Sequence, residues 1–389
     1  MVKSLAVERA GSSAIRDLLE ITERPGIVSL AGGLPNPATF PTDAIARATA
    51  AALAEDPVGA LQYGPTEGYR PLRRWVAQRA GLPHDGGEER VLITSGSQQA
   101  LELLTRALVD PGELVALADP AYVGALQAFR AAGVELAPIP SDADGLRVDV
   151  LADRIDQGAR PRLVYVVANF DNPSGSTLSA ERRIALAQLA DRHGFWVVDD
   201  DPYGDLRWNG RPPVALRDLT DRTITLGSTS KVLAPGLRVG WAIAPADVHR
   251  SMAILKQSAD LHTSALTQQV VHRTLAEPGF LDAHLALLRR TYQHQATHLV
   301  DALRTRLGDR LTVAEPDGGM FLWAELLAPD ADTAALLRPA VEHGVAFVPG
   351  AAFGVEDLHP RHLRLSYATA ATAGLDLAVD RLVGVLPKP

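Results

Sequence analysis

Chemistry concentrates first in residues 223–241, TITLGSTSKVLAPGLRVGW. An apolar β-branched run gives way to small hydroxyl residues and then to one lysine, Lys231, with Arg238 seven residues further on. Ser228, Ser230 and Arg238 are groups that suit a bound phosphate. Positive charge beside Lys231 would depress its amine toward neutrality, which an imine-forming lysine requires. The same residue also reads as a solvent-exposed loop lysine after a strand. The run VVDDDPYGDL sets Asp199, Asp200 and Asp201 at the end of an apolar strand, an expensive arrangement unless a cation is present. In LRLSYA, Arg364 has apolar neighbours on both sides, and a planar cation on a strand fit for burial calls for a carboxylate from protein or substrate.

These residues need a scaffold. From Arg90 to Ala244 short apolar runs alternate with amphipathic ones, which predicts a mainly parallel sheet wrapped by helices. Strands are expected over 91–94, 114–117, 134–138, 163–168, 195–199, 223–226 and 239–244. Helices are expected over 98–109, 123–132 and 180–193. Ligands of such sheets bind beyond the carboxyl ends of the strands, and several polar motifs fall there. Gly96-Ser97-Gln98 opens a helix directly after a strand, offering free N–H groups and a hydroxyl to a phosphate, or else Ser97 is simply an N-cap. Tyr122, in ADPAYVGAL, can stack on a flat ring. Asn172, in ANFDNPSG, is a turn residue before proline.

The flanks read differently. Residues 15–21 carry a short amphipathic helix pattern, followed by SLAGGLPNPATFP, where Gly32, Gly33 and three prolines forbid regular structure. The glycine pair allows close backbone approach to a substrate, or marks a linker. A helix over 42–54 leads to LQYGPTEGY, in which Tyr63 is either a reaching side chain or a packed one. Beyond Pro245 the pattern is helical over 251–276 and 279–307. The five histidines from His262 to His298 lack metal spacing and are expected on helix surfaces. Alternating strands and helices after residue 311 suggest a smaller α+β domain.

Composition narrows the class. A chain of 389 residues suggests roughly two domains. The 46 acidic against 38 basic residues, net −8, argue against a nucleic-acid or acidic-membrane partner. With no cysteine there is no disulfide, thiolate metal site or cysteine nucleophile. No apolar run reaches the roughly 20 residues of a membrane-spanning helix, and the N-terminus lacks a secretory pattern, so a cytoplasmic enzyme is expected.

A lysine for an imine, a phosphate cradle, a stacking tyrosine, an acid for a ring nitrogen and an arginine for a carboxylate are what pyridoxal phosphate demands. The motifs SLAGGLPNPATFP, LQYGPTEGY, TSGSQQAL, DPAY, NPSG, DDDPYG, STSKVLAPGLRVGW, KQSADLHTS, VPGAAF and LRLSYA occur in that order over nearly the whole chain. The sequence thereby resembles the fold-type I pyridoxal-phosphate aminotransferases of class I/II, in particular the 2-aminoadipate and kynurenine aminotransferase group and the aminotransferase-like half of MocR regulators.

That resemblance implies an α/β fold, with a mainly parallel seven-stranded sheet in a large domain and a smaller α+β domain. It places an N-terminal substrate-covering arm at 1–41, the cofactor-binding domain at 42–277 and the small domain at 278–389. It implies that Lys231 holds the cofactor covalently and shuttles the substrate Cα proton, and that Asp200 pairs with the pyridine nitrogen. Tyr203 and Asn172 would bond the ring 3-oxygen, and Tyr122 would stack on the ring. Ser97, Gln98, Ser228, Ser230 and Arg238 would hold the phosphate, joined by Tyr63 from a neighbouring subunit of a homodimer. Arg364, with Asn172, would clamp the substrate α-carboxylate, while Gly33 and Arg16 would lie over its side chain. The implied reaction moves an amino group between an L-amino acid and a 2-oxo acid, with 2-oxoglutarate as acceptor. No nucleic-acid, membrane or metal partner is expected, and no basic helix-turn-helix of a MocR regulator precedes the matching region. The family usually reads Pro-Asn-Phe-Gln-Asn-Pro where this chain has Ala168-Asn169-Phe170-Asp171-Asn172-Pro173, and Thr229 stands for a common phenylalanine. Asp171 and Thr229 leave open a different carbanion reaction on the same cofactor, such as β- or γ-elimination or replacement.

Overall fold

The computed structural model describes residues 3–11, 26–356 and 358–388. A two-residue strand, β1 (Val28–Ser29), precedes the main sheet. The sheet is then laid down by runs rich in Val, Ile and Leu: β2 (Val91–Thr94), β3 (Leu114–Asp119), β4 (Glu135–Asp142), β5 (Gly145–Leu146), β6 (Pro161–Val166), β7 (Trp196–Asp200), β8 (Thr223–Ser228) and β9 (Gly240–Ile243). Every residue of β2 and β8 is buried, as expected of strands covered on both faces. Their order is β2-β9-β8-β7-β6-β3-β4-β5. Pairing is parallel from β8 through β7, β6 and β3 to β4, while β9 runs antiparallel to both of its neighbours. The expected seven strands are all present. An eighth, the two-residue β5, folds back on the end of β4 because Asp142 and Gly145 close a tight hairpin, too short to leave an apolar run in the sequence.

Local signals fix the crossover helices. Ser179 caps Ala180–His193 by accepting a hydrogen bond from the Arg182 N–H at 3.4 Å, and Gly194 ends it in the left-handed region at φ 80°. Gly133 closes Val123–Ala132 in the same way at φ 76°. Because the chain turns one way from β3 and the other way from β6, these neighbours form the topological switch point, where a ligand crevice opens.

The remaining chain builds an antiparallel sheet, β10 (Leu311–Val313), β11 (Phe321–Leu326), β14 (His362–Ser366) and β13 (Val348–Pro349), in that spatial order. The helix Phe280–Leu307 packs against β10 and Thr333–Glu342 against β13, while Thr372–Val383 packs against Phe280–Leu307 and β1. β1 pairs in parallel with β12 (Val345–Ala346), and Leu30 O accepts from the Ser366 N–H at 2.7 Å. The N-terminal segment is thereby stitched to the C-terminal part, which sets where Gly33 lies.

Two expectations need correction. The helical stretch 251–276 is two helices, Ala246–Ala259 and Ala265–Ala276, separated by Leu261 at φ 64° and restarted by Ser264, whose hydroxyl caps Thr267. His284 is not a surface residue. It is buried and its Nε2 lies 2.7 Å from Val232 O, because the Phe280–Leu307 helix packs that face toward the lysine-bearing segment. The helix pattern at 15–21, with Arg16, lies outside the described residues.

Candidate active site

The carboxyl ends of β6, β7 and β8 deliver Asn172, Asp200 and Ser228 to one place. A cavity of about 340 Å³ is lined there by Gly33, Ser97, Gln98, Tyr122, Asn172, Asp200, Tyr203, Ser228, Ser230, Lys231, Arg238 and Arg364, together with Leu34, Val167, Pro202 and Pro235. Twelve of the fourteen residues expected at the site therefore converge. Tyr63 does not line the cavity; it is 78% exposed, with its ring edge-on to His262. Arg16 is not among the described residues.

Lys231 follows a β8 end that has just broken into hydroxyl residues. Its Nζ donates to Gly33 O at 2.7 Å. Burial, then the charges of Arg364 and Arg238, push the amine down to about 8. The electrostatics thus suit a nucleophilic amine near neutral pH.

Alternation along β7 sorts the three acids. Asp200 faces the cavity, where its Oδ2 accepts from the Tyr165 hydroxyl at 2.8 Å. Its Oδ1 is buried with no hydrogen-bond partner among the described residues. Burial raises Asp200 to about 7, against the Tyr165 hydrogen bond that lowers it and the Asp201 charge that raises it further. Asp199 and Asp201 line a different cavity, of about 770 Å³, where Arg183 and Arg217 offset their charge. That larger cavity contains neither Lys231 nor Arg364, so the reactive groups assign the site to the smaller one.

Arg364, on β14, is 1% exposed. Nη1 donates to Asn172 Oδ1 at 2.7 Å and Nη2 to Ala31 O at 2.5 Å. The guanidinium lies 4.3 Å from the Phe321 ring centre and 5.0 Å from that of Phe353, and burial lowers its pKa to about 10. Its Nε has no partner among the described residues, which leaves a buried donor for a carboxylate. Burial also raises the Tyr122 phenol to about 12 and the Tyr203 phenol further, keeping both protonated as donors.

The corner where a phosphate is expected sits at the start of the helix Ser97–Leu108. Gly96, at φ 84°, is its N-cap and no side chain caps it, so the Ser97 hydroxyl is not spent on the helix. Ser228 Oγ donates to Ser230 Oγ at 2.8 Å, and Arg238 Nη2 donates to Ser95 O at 3.0 Å. A Cβ on Gly96 would come within 2.5 Å of Arg238 Nη2, so only glycine permits this approach. The Gln98 side chain donates to Gly124 O at 2.9 Å and accepts from the Tyr122 hydroxyl at 3.4 Å, leaving its backbone N–H for an anion. Residues not foreseen are Tyr165, Leu34, Pro235 and the two rings around Arg364. Tyr165 carried a faint signal, as the one polar tip in an aliphatic strand.

The unpaired Asp200 Oδ1, the depressed lysine and the anion-seeking corner fit pyridoxal phosphate at its three distinctive points: ring nitrogen, aldehyde and phosphate.

Comparison with known proteins agrees. Residues 27–382 match the model of the family "Aminotransferase class I and II". The chain belongs to that family. The 2-aminoadipate transaminase of Thermus thermophilus is 41% identical, the alignment covering 96% of this chain and 94% of that one. The aromatic-amino-acid aminotransferase 1 of Thermococcus litoralis is 37% identical over 95% of this chain and 90% of its own length. Among solved structures, the alpha-aminoadipate aminotransferase of Thermus thermophilus, complexed with N-(5'-phosphopyridoxyl)-L-leucine, superposes with a TM-score of 0.91 at 39% identity, covering 98% of this chain and 96% of that one. The aminotransferase is thus a pyridoxal-phosphate-dependent transferase of α/β fold that moves amino groups. No helix among the described residues is long and apolar enough to cross a membrane.

Proposed function

We propose that this aminotransferase works between an L-amino acid and 2-oxoglutarate, as a cytoplasmic homodimer whose sites are shared between subunits. The observation that carries the reading is the convergence of Lys231, Asp200 and the Arg364–Asn172 pair on one cavity. Pyridoxal phosphate, when bound, supplies an electron sink for charge released at the substrate Cα. Lys231 would hold its aldehyde and later take and return the Cα proton. Asp200, fixed by Tyr165, would keep the ring nitrogen protonated; that cation in turn would draw the Asp200 pKa down from its buried value. Tyr203 and Asn172 would hold the ring oxygen, and Tyr122 the ring face. Ser97, the Gln98 N–H, Ser228, Ser230 and Arg238 would take the phosphate, with Tyr63 from the second subunit. Arg364 would pair with the α-carboxylate in a low-dielectric pocket, which favours a bidentate partner. Residues 42–277 would form the cofactor domain and 278–389 the small domain, with the arm at 1–41 covering the substrate.

The reading of a different carbanion reaction rests on Asp171 and Thr229, and neither lines the cavity. The Asp171 carboxylate accepts from the Ser174 hydroxyl at 2.7 Å within its own turn, and the Thr229 hydroxyl donates to Val239 O at 3.0 Å. Both departures are taken up by hydrogen bonds outside the cavity. The test is a screen of amino donors and oxo acceptors followed at the cofactor absorbance, with Lys231→Ala as the blank. Formation of the matching oxo acid with amination of 2-oxoglutarate is expected. Release of ammonia or a leaving group without amino transfer would overturn the proposal.

A further inference from the structure

Lys256 lies on the helix Ala246–Ala259, outside the cavity, with a side chain 0% exposed. A fully buried ammonium is costly unless every proton has an acceptor. Here each does: Nζ reaches Gln99 Oε1 at 2.9 Å, Asp260 Oδ1 at 2.8 Å and Thr263 Oγ1 at 3.1 Å. Burial still pushes the amine below the usual lysine range.

The acceptors all lead to one loop. Gln99 Oε1, which Lys256 holds, also accepts from the Ser95 N–H at 2.8 Å. Asp260 Oδ2 accepts from Ser95 Oγ at 3.1 Å and from Gln99 Nε2 at 2.8 Å. Ser95 O in turn receives Arg238 Nη2 at 3.0 Å. One buried ammonium therefore organises Ser95, the glycine turn at Gly96 and the guanidinium of Arg238, although it touches none of the cavity.

We propose that Lys256 is a positioning residue for the cofactor phosphate, acting through Gln99, Asp260 and Ser95 to set the 95–98 loop and Arg238 in anion-receiving geometry. The inference rests on the reading that this corner takes the phosphate. Without the ammonium, Asp260 loses its ion-pair partner and Gln99 Oε1 loses one of its two donors, so both are freer to turn. Ser95 then loses two of its anchors, and Arg238 loses a fixed carbonyl.

The test titrates apo-protein with pyridoxal phosphate and with pyridoxal, which lacks the phosphate, reading the dissociation constant of each from the visible absorbance of the lysine-linked form. Wild type, Lys256→Met, Gln99→Met and Arg238→Ala are compared at a temperature where each is folded. Lys256→Met and Gln99→Met should each raise the dissociation constant for pyridoxal phosphate tenfold or more, leave that for pyridoxal within twofold and leave kcat at saturating cofactor within about threefold. Gln99→Met keeps the test available should Lys256→Met not fold. If both variants lose thermal stability yet bind pyridoxal phosphate as wild type does, while Arg238→Ala binds weakly, Lys256 is structural only and the proposal is overturned. If Arg238→Ala also binds normally, the phosphate reading itself falls.

Discussion

At the scale of single residues, burial tunes the ionisable groups lining the cavity more than partners do. Lys231 is held down to about 8 by desolvation first and by Arg364 and Arg238 second. In apo-protein its neutral, nucleophilic form therefore grows in as pH rises through 8, well below the range of a free lysine. The rate of cofactor capture, followed in stopped flow, should rise with a midpoint near pH 8 set by the value of about 8. Arg364→Met removes a positive neighbour and should move that midpoint upward; an unchanged midpoint would show that the arginine charge is not felt. Asp171 illustrates a stability cost. Burial raises its carboxyl to about 6 from 3.8, so the folded protein binds more protons than the unfolded chain across pH 4 to 6. Stability from this group is greatest at acid pH and falls as pH rises through that window. Asp171→Asn should flatten the fall, by on the order of 1–3 kcal/mol between pH 4.5 and 7.5 in urea melts. The same slope in both proteins would exclude the effect.

At the scale of elements, the site is made where strands stop. β7 and β8 end in polar residues, and the helix after β2 begins without a side-chain cap, so backbone donors, carboxylate and lysine all face the same crevice. The phosphate corner depends on how closely β9 approaches that helix. A Cβ on Gly240 would lie 2.6 Å from Gly96 C and from Ser97 N, backbone atoms that cannot swing aside. Gly240→Ala should therefore displace the loop, costing about 1–3 kcal/mol of stability and weakening cofactor affinity at least tenfold in absorbance titrations. Normal affinity in a destabilised variant would mean that the loop adjusts. Most elements were legible because their caps are local: Ser179, Gly133 and Gly194 give helix ends found where the spacing places them. The break between Ala259 and Ala265 was not legible. It depends on Leu261 in the left-handed region and on Lys256 reaching Gln99 some 157 residues away.

At the scale of the whole molecule, the helix Pro57–Leu61 and the segment after it carry an apolar surface with no cover among the described residues. Val58 is 72% exposed, Leu61 69% and Tyr63 78%, far more than scattered surface apolar residues warrant. A second subunit would bury them and deliver Tyr63 to the neighbouring phosphate. The combined variant Val58→Glu, Leu61→Glu should weaken dimerisation in sedimentation velocity, with circular dichroism unchanged, and should release cofactor faster on gel filtration. A wild-type monomer at micromolar concentration would remove the shared-site reading.

Sequence by itself determined the chemistry, because Lys231, Asp200, Arg238 and Arg364 need particular functional groups, and because the 3.6- and 2-residue periods that place them on helices and strands are local properties. Tertiary structure alone decided which groups serve the site. Asp200 enters the cavity while Asp199 and Asp201 do not, since the pleat turns successive side chains to opposite faces. Asp171 and Thr229, conspicuous in the sequence, are spent away from the cavity, on Ser174 of the same turn and on the Val239 carbonyl. Lys256, inconspicuous there, joins the site through contacts made only when distant segments pack, where burial turns a common lysine into a fixed cation.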